Sequence, residues 1–159
     1  AFGLDEYLPE AVAKRLQKNQ RTARANVDDL CDRGSFMEYG ALAIAAQRSR
    51  RSEEDLISKT PADGLIAGIG SVNGSLFPEE KSRCMVMAYD YTVLAGTQGF
   101  MNHKKKDRML DLAYKWKLPT VLFAEGGGGR PGRRESERRG LSLPGKRVEQ
   151  DRDGNSKSR

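Results

Sequence analysis

"AYDYTVLAGTQGFMNHKKKDRMLDLAYKWKLPTV", residues Ala88–Val121, decides the architecture. An apolar strand that begins at Cys84 runs into Gly96 and Gly99, which break it. From about Phe100 to Lys117, Met109, Leu112, Ala113 and Trp116 fall at i, i+3, i+4 and i+7, the spacing of one helix face. Pro119 stops that helix, and "TVLFA" (Thr120–Ala124) reads as a further buried strand. Upstream, "GLIAGIGSVNGS" (Gly64–Ser75) reads as another strand, with Asn73-Gly74 as its hairpin signal and "SLFPEEKSR" as the loop that follows. Strand, strand, helix, strand is the order of an α/β layered fold.

Nearer the N-terminus, Leu8, Val12 and Leu16 predict an amphipathic helix over Leu8–Gln20. A short helix is expected within Asn26–Phe36, closed by Gly34. Ala43–Asp63 has a charged centre and reads as an exposed excursion.

The chain has 159 residues, enough for one domain with a core. No apolar run reaches 18 residues, which predicts no membrane-spanning helix. The opening residues lack the order of a signal peptide, so cytoplasmic residence is expected. Cys31 and Cys84 are too few for a disulfide framework and are expected as buried, reduced thiols. With one histidine beside them, a metal site would lack ligands, and none is expected. The net charge of +6 is uneven. Residues 130–159 hold ten basic and five acidic residues, which leaves 18 against 17 in the rest. The basicity therefore belongs to the tail, and "RRESERRGLSLPGKRVEQDRDGNSKSR" (133–159) is expected to be disordered for want of apolar residues.

After the last strand come four glycines and an arginine, "AEGGGGR" (Ala124–Arg130). Residues without a Cβ let a ligand approach their N–H groups, and successive N–H groups at a strand's exit form an anion-binding nest. In an oxyanion hole one such donor contributes about 2.7–4 kcal/mol to the barrier. A plain surface turn is the competing reading. Nucleotide loops are excluded: "GIGSVNG" leads into a strand, and "GLSLPGKR" (Gly140–Arg147) carries Arg147 where a phosphate loop needs a hydroxyl. His103, and Lys104, Lys105, Lys106 with Arg108, read as a solvated helix face.

Taken in order, these pieces resemble the N-terminal half of the carboxyltransferase domain of biotin-dependent acyl-CoA carboxylases, within the crotonase-like superfamily. "RTARANVDDLCDRGSFMEYG" is similar to its arginine-rich lead-in and Gly-Ser-Phe-x-Glu element. "ADGLIAGIGSVNG" resembles its glycine-punctuated hairpin, and Ala88–Val121 its strand, Gly-Ser/Thr-x-Gly turn, helix and proline-led strand. "AEGGGGR" stands where that family has Asp-Ser-Gly-Gly-Ala-Arg. The resemblance covers residues 12–132 and implies a partial crotonase-like fold of ββα repeats behind N-terminal helices. It places a truncated carboxyltransferase part at 1–132 and a non-family tail at 133–159.

For the site, the resemblance implies that the N–H groups of Gly127 and Gly128 hold the thioester oxygen of acyl-CoA as it becomes an enolate. The enolate then takes a carboxyl group from carboxybiotin on a partner carrier. Gly126, Gly129 and Arg130 would line the substrate, with Gly96 and Thr97 in a turn near the CoA. Glu125 replaces the family's aspartate. Implied partners are acyl-CoA, biotin carboxyl carrier and biotin carboxylase components, and further copies in a homo-oligomer. No nucleic acid or membrane partner is implied. The family's cytoplasmic or mitochondrial-matrix setting follows. Truncation or a change of reading frame near Gly132 would explain the tail and leave the chain inactive alone. A decarboxylase subunit of the same superfamily would carry the same motifs. A basic nucleic-acid-binding protein is the alternative of another class, although the tail has no aromatic residue for stacking.

Overall fold

The computed structural model describes residue 5 and residues 8–130. The expectations for residues 133–159, including the loop at 140–147, lie outside the described residues.

Helix α1 spans Pro9–Leu16, shorter than the apolar spacing predicts. Proline opens it, Glu10 sits in its first turn, and Lys14 and Arg15 in its last, which suits the helix dipole. It stops because Asn19 turns left-handed at φ 55°. Helix α2 runs Ala23–Leu30, earlier than expected. The Thr22 hydroxyl accepts the Ala25 N–H at 3.1 Å and so fixes its start. Cys31 is already extended at its end.

A four-stranded sheet follows the order β1 (Met37–Glu38), β2 (Leu65–Ser71), β3 (Arg83–Tyr89), β4 (Thr120–Phe123). The first two pairings are antiparallel and the β3–β4 pairing is parallel. β2 and β3 are in register from Leu65 opposite Tyr89 to Ser71 opposite Arg83. The segment joining them is wider than a two-residue turn. Asn73 is left-handed at φ 54°, the Leu76 and Phe77 N–H groups donate to its carbonyl, and a short helix α4 (Glu79–Ser82) precedes β3.

The period of two along a strand sends alternate residues to opposite faces. Leu65, Ala67, Ile69, Met85, Met87 and Tyr89 pack against Met109 and Ala113 of helix α5 (Phe100–Trp116). On the other face Ile66, Val86, Ala88 and Cys84 meet Ala23, Val27 and Cys31. A sheet covered on both faces explains why β2 and β3 are continuous apolar runs. β4 is the exception. Among the described residues it lies at the sheet's edge, with Leu122 exposed, where a buried strand was expected. Both cysteines are buried and free, and burial pushes both thiols up.

The charged excursion is anchored. Ser52 caps helix α3 (Glu53–Lys59), accepting the Asp55 N–H at 3.2 Å, and Leu56 is fully buried. Pro61–Gly64 then make a buried turn in which Ala62 and Asp63 are left-handed, at φ 53° and 47°.

The lysine run on α5 also divides. His103, Lys104 and Arg108 are exposed as expected. Lys105 instead shares the buried stripe of Asn102, Met109 and Ala113, and its ammonium donates to the Leu65 carbonyl. Burial lowers its pKa to about 8, with Glu38 and Asp63 opposing the shift and Arg24 adding to it. The unfolded chain therefore holds this proton up to about pH 10.4 while the folded chain releases it near 8. Stability from this group is missing below pH 8 and rises as the pH climbs towards 10.4. Urea midpoints at pH 7.5 and 10 should accordingly show wild type gaining on Lys105→Met by about 2–3 kcal/mol. A constant difference between the two proteins would exclude a buried ammonium.

Candidate functional site

Parallel β3 and β4 end side by side, and the segments leaving them, 90–99 and 124–130, form one rim with the start of α5. Crevices at the carboxyl ends of parallel strands are where α/β sheets bind ligands. The two segments are laced by three backbone bonds. Gly127 N–H donates to the Ala95 carbonyl at 3.0 Å, Gln98 N–H to the Gly128 carbonyl at 2.8 Å, and Arg130 N–H to the Gln98 carbonyl at 2.8 Å.

The four glycines serve different ends. At Gly126 a Cβ would stand 2.2 Å from the Gly96 carbonyl oxygen, and at Gly96 it would stand 2.5 Å from the Glu125 carbonyl oxygen. These two glycines exist so that the segments can touch. Gly128 has φ +82° and open space where a Cβ would be, so its backbone, not its neighbours, demands glycine. Gly129 faces open space with no such demand.

Gly126–Gly129 are exposed. Among the described residues the N–H groups of Gly128 and Gly129 meet no acceptor. Of Gly127 and Gly128, the two glycines expected as donors, the first has its N–H bonded and the second does not. The Gly127 N–H is taken by the Ala95 carbonyl, which leaves Gly128 and Gly129 as adjacent exposed residues without an acceptor among the described residues.

Arg130 and Thr97 have their side chains bonded within the rim. The Arg130 side chain is 9% exposed and pairs with the Asp63 side chain, which is fully buried. Its Nε donates to Thr97 Oγ1 at 3.1 Å, and Thr97 Oγ1 donates to the Leu94 carbonyl at 2.7 Å. Both side chains face inward and brace the rim. Asp63 also accepts the Asn102 N–H at 2.7 Å in the first turn of α5, while Asn102 Nδ2 donates to the Asp63 carbonyl at 3.0 Å. At the other end of the glycines, Arg15 holds Glu125 in a two-pronged pair, Nη1 to Oε1 at 3.1 Å and Nη2 to Oε2 at 2.7 Å. The Arg15 guanidinium lies 5.2 Å from the Tyr91 ring centroid, and its Nε donates to the Arg21 carbonyl at 3.0 Å.

Sequence reasoning passed over Asp63, Asn102 and Arg15. Only the Asp-Gly dipeptide at 63–64 gave a local signal. Leu94 and Ala95 are left-handed beside Gly96, at φ 49° and 54°. Backbone held there costs about 1–3 kcal/mol per residue and tends to collect at functional sites. Hollows between α1 and α2 and beside Leu110, Tyr114 and Leu118 lie away from the rim. No group of three or more His, Cys, Asp or Glu among the described residues could hold a metal ion, and none of their helices is long and apolar enough to cross a membrane.

Comparison with known proteins shows the family. The sequence profile described as the carboxyl transferase domain matches residues 14–145. The propionyl-CoA carboxylase beta chain of Saccharopolyspora erythraea is 36% identical over 121 residues, 76% of this chain and 20% of that protein. The mitochondrial methylcrotonoyl-CoA carboxylase beta chain of Arabidopsis thaliana is 34% identical over 120 residues, 75% of this chain and 18% of its own. Among solved structures, a single-chain, multi-domain long-chain acyl-CoA carboxylase superposes with a TM-score of 0.78 at 66% identity, covering 81% of this chain and 13% of that one. Transcarboxylase 12S, with hydrolysed methylmalonyl-CoA bound, gives 0.64 at 25% identity over 76% of this chain and 22% of its own. The chain spans about a fifth of the length of these curated relatives.

Proposed function

The chain belongs to the carboxyl transferase domain family, and from that premise we propose that it is the acyl-CoA side of a biotin-dependent acyl-CoA carboxylase. Its task is to hold the thioester and stabilise the enolate that accepts a carboxyl group. The observation that carries this is the adjacent pair of exposed glycines, Gly128 and Gly129, whose N–H groups meet no acceptor among the described residues, on a rim laced at Gly127, Gln98 and Arg130. When the α-carbon of the acyl group loses its proton, negative charge moves onto the thioester oxygen. Donors fixed in advance stabilise that charge more than they stabilise the neutral carbonyl, and so lower the barrier. The first turn of α5, at the same rim, adds the positive end of its dipole.

Carboxybiotin on a carrier domain supplies the carboxyl group as co-substrate. The remaining partners in this reading are a biotin carboxylase component and further copies of the chain, in the cytoplasm or the mitochondrial matrix. The role falls within the span that the carboxyl transferase profile matches, residues 14–145.

Titrating acetyl-CoA into the ¹⁵N-labelled 159-residue chain tests the reading. The amides of Gly128, Gly129 and Gln98 should shift most, and free CoA should shift Gly128 and Gly129 much less. Shifts that spare 95–98 and 126–130 would overturn it.

A further inference from the structure

The four glycines are gripped at both ends, and the grips come from distant parts of the chain. Glu125, just before them, is held by Arg15 from α1. Arg130, just after them, is held by Asp63 from the turn that follows α3. Each arginine is nearly buried, with side-chain exposures of 6% and 9%, and each is fastened by a second group, the Arg21 carbonyl and Thr97 Oγ1. We propose that the pairs Arg15–Glu125 and Arg130–Asp63 are positioning residues for the Gly128 and Gly129 N–H groups.

This rests on the proposed acyl-CoA reading and deepens it. A run of four glycines has more backbone freedom than any other tetrapeptide, and that freedom opposes fixed donors. Oxyanion stabilisation needs donors that do not reorganise during the reaction. The lacing bonds at Gly127, Gln98 and Arg130 fix the middle of the rim but leave the direction of the loop to its two ends. A planar guanidinium held at two or more points fixes direction as well as distance: Arg15 takes both carboxylate oxygens of Glu125, and Arg130 takes one carboxylate oxygen of Asp63, the Asp63 carbonyl at 3.4 Å and Thr97 Oγ1. Lysine at either arginine keeps the charge and loses the plane. Asp63 does a second job, since its other oxygen accepts an N–H from the first turn of α5. It therefore locks the loop to the helix end that borders the same rim.

Amide hydrogen exchange and acetyl-CoA titration on the 159-residue chain, with Arg130→Lys and Glu125→Gln, test this. Each variant should speed exchange of the Gly127 and Arg130 amides at least tenfold, leave Ala67 and Met87 at their wild-type rates, and weaken acetyl-CoA binding at least tenfold. Arg130→Lys should retain more of that binding than Arg130→Gln. Unchanged loop exchange would overturn the inference even where wild type binds acetyl-CoA. So would acceleration spread equally over β2 and β3, which marks a purely structural role. A wild-type chain that leaves Gly128 and Gly129 unmoved by acetyl-CoA sinks the functional reading instead, and the titration alone reports it.

Discussion

Asp63→Ala is expected to remove about 3–5 kcal/mol from the stability of the chain, the cost of leaving a buried guanidinium without its partner. Three features of the site set that size. The carboxylate is fully buried, so no water replaces it. The Arg130 side chain is 9% exposed and cannot swing out without breaking its bond to Thr97 Oγ1. The Asn102 N–H in the first turn of α5 loses its acceptor as well, and an unsatisfied buried donor costs about 1–3 kcal/mol. Asp63→Asn should cost less, because an amide oxygen still accepts from Asn102 and asparagine tolerates φ 47°. The double variant Asp63→Ala/Arg130→Met should recover much of the loss, since it removes the stranded charge and leaves an apolar stem in its place. Urea unfolding measures all three. If Asp63→Ala alone costs under 1 kcal/mol, the pair is not desolvated as described; if the double variant is worse than the sum of its parts, charge burial is not the cause.

What the sequence could disclose, and what it could not, follows the distance between interacting residues. Helix α5 was legible to within a residue because Gly99 and Pro119 punctuate it and Met109 and Ala113 mark its buried side. The β2 and β3 runs were legible because both faces of each are covered. β1 was not, since two residues have no period and exist only through pairing with Ile69 and Gly68. Lys105 was misplaced on a solvated face because its charge hid its position on the same stripe as Met109. The braces were out of reach altogether: Arg130 and Asp63 are 67 positions apart, Arg15 and Glu125 110. A salt bridge of that span has no local signature. The family resemblance pointed to the glycine loop, but which of its N–H groups is already bonded depends on Ala95, whose left-handed backbone no pattern announced.

Gly128→Val, placed in a polypeptide of the relatives' full length, should lower carboxyl transfer to a CoA ester by about 10²–10³-fold, the usual consequence of losing one oxyanion donor. Two physical steps lead there. At φ +82° a β-branched residue is strained, by about 1–3 kcal/mol, and the cheapest relief is to turn the peptide plane that carries the Gly128 N–H. No atom lies within 4 Å of where the Cβ would be, so nothing opposes that turn and nothing in the core is displaced. The fold should therefore persist, with circular dichroism unchanged and β2–β3 amides still protected. The damage should fall on kcat more than on KM, because the donors act on charge that develops only after the substrate is bound. Gly129→Ala gives the contrast: its backbone is outside the left-handed region and its surroundings are equally open, so its N–H should stay in place and the loss should be much smaller. A Gly128→Val enzyme within tenfold of wild type in kcat, with its fold intact, would mean that this N–H does not carry the enolate's charge.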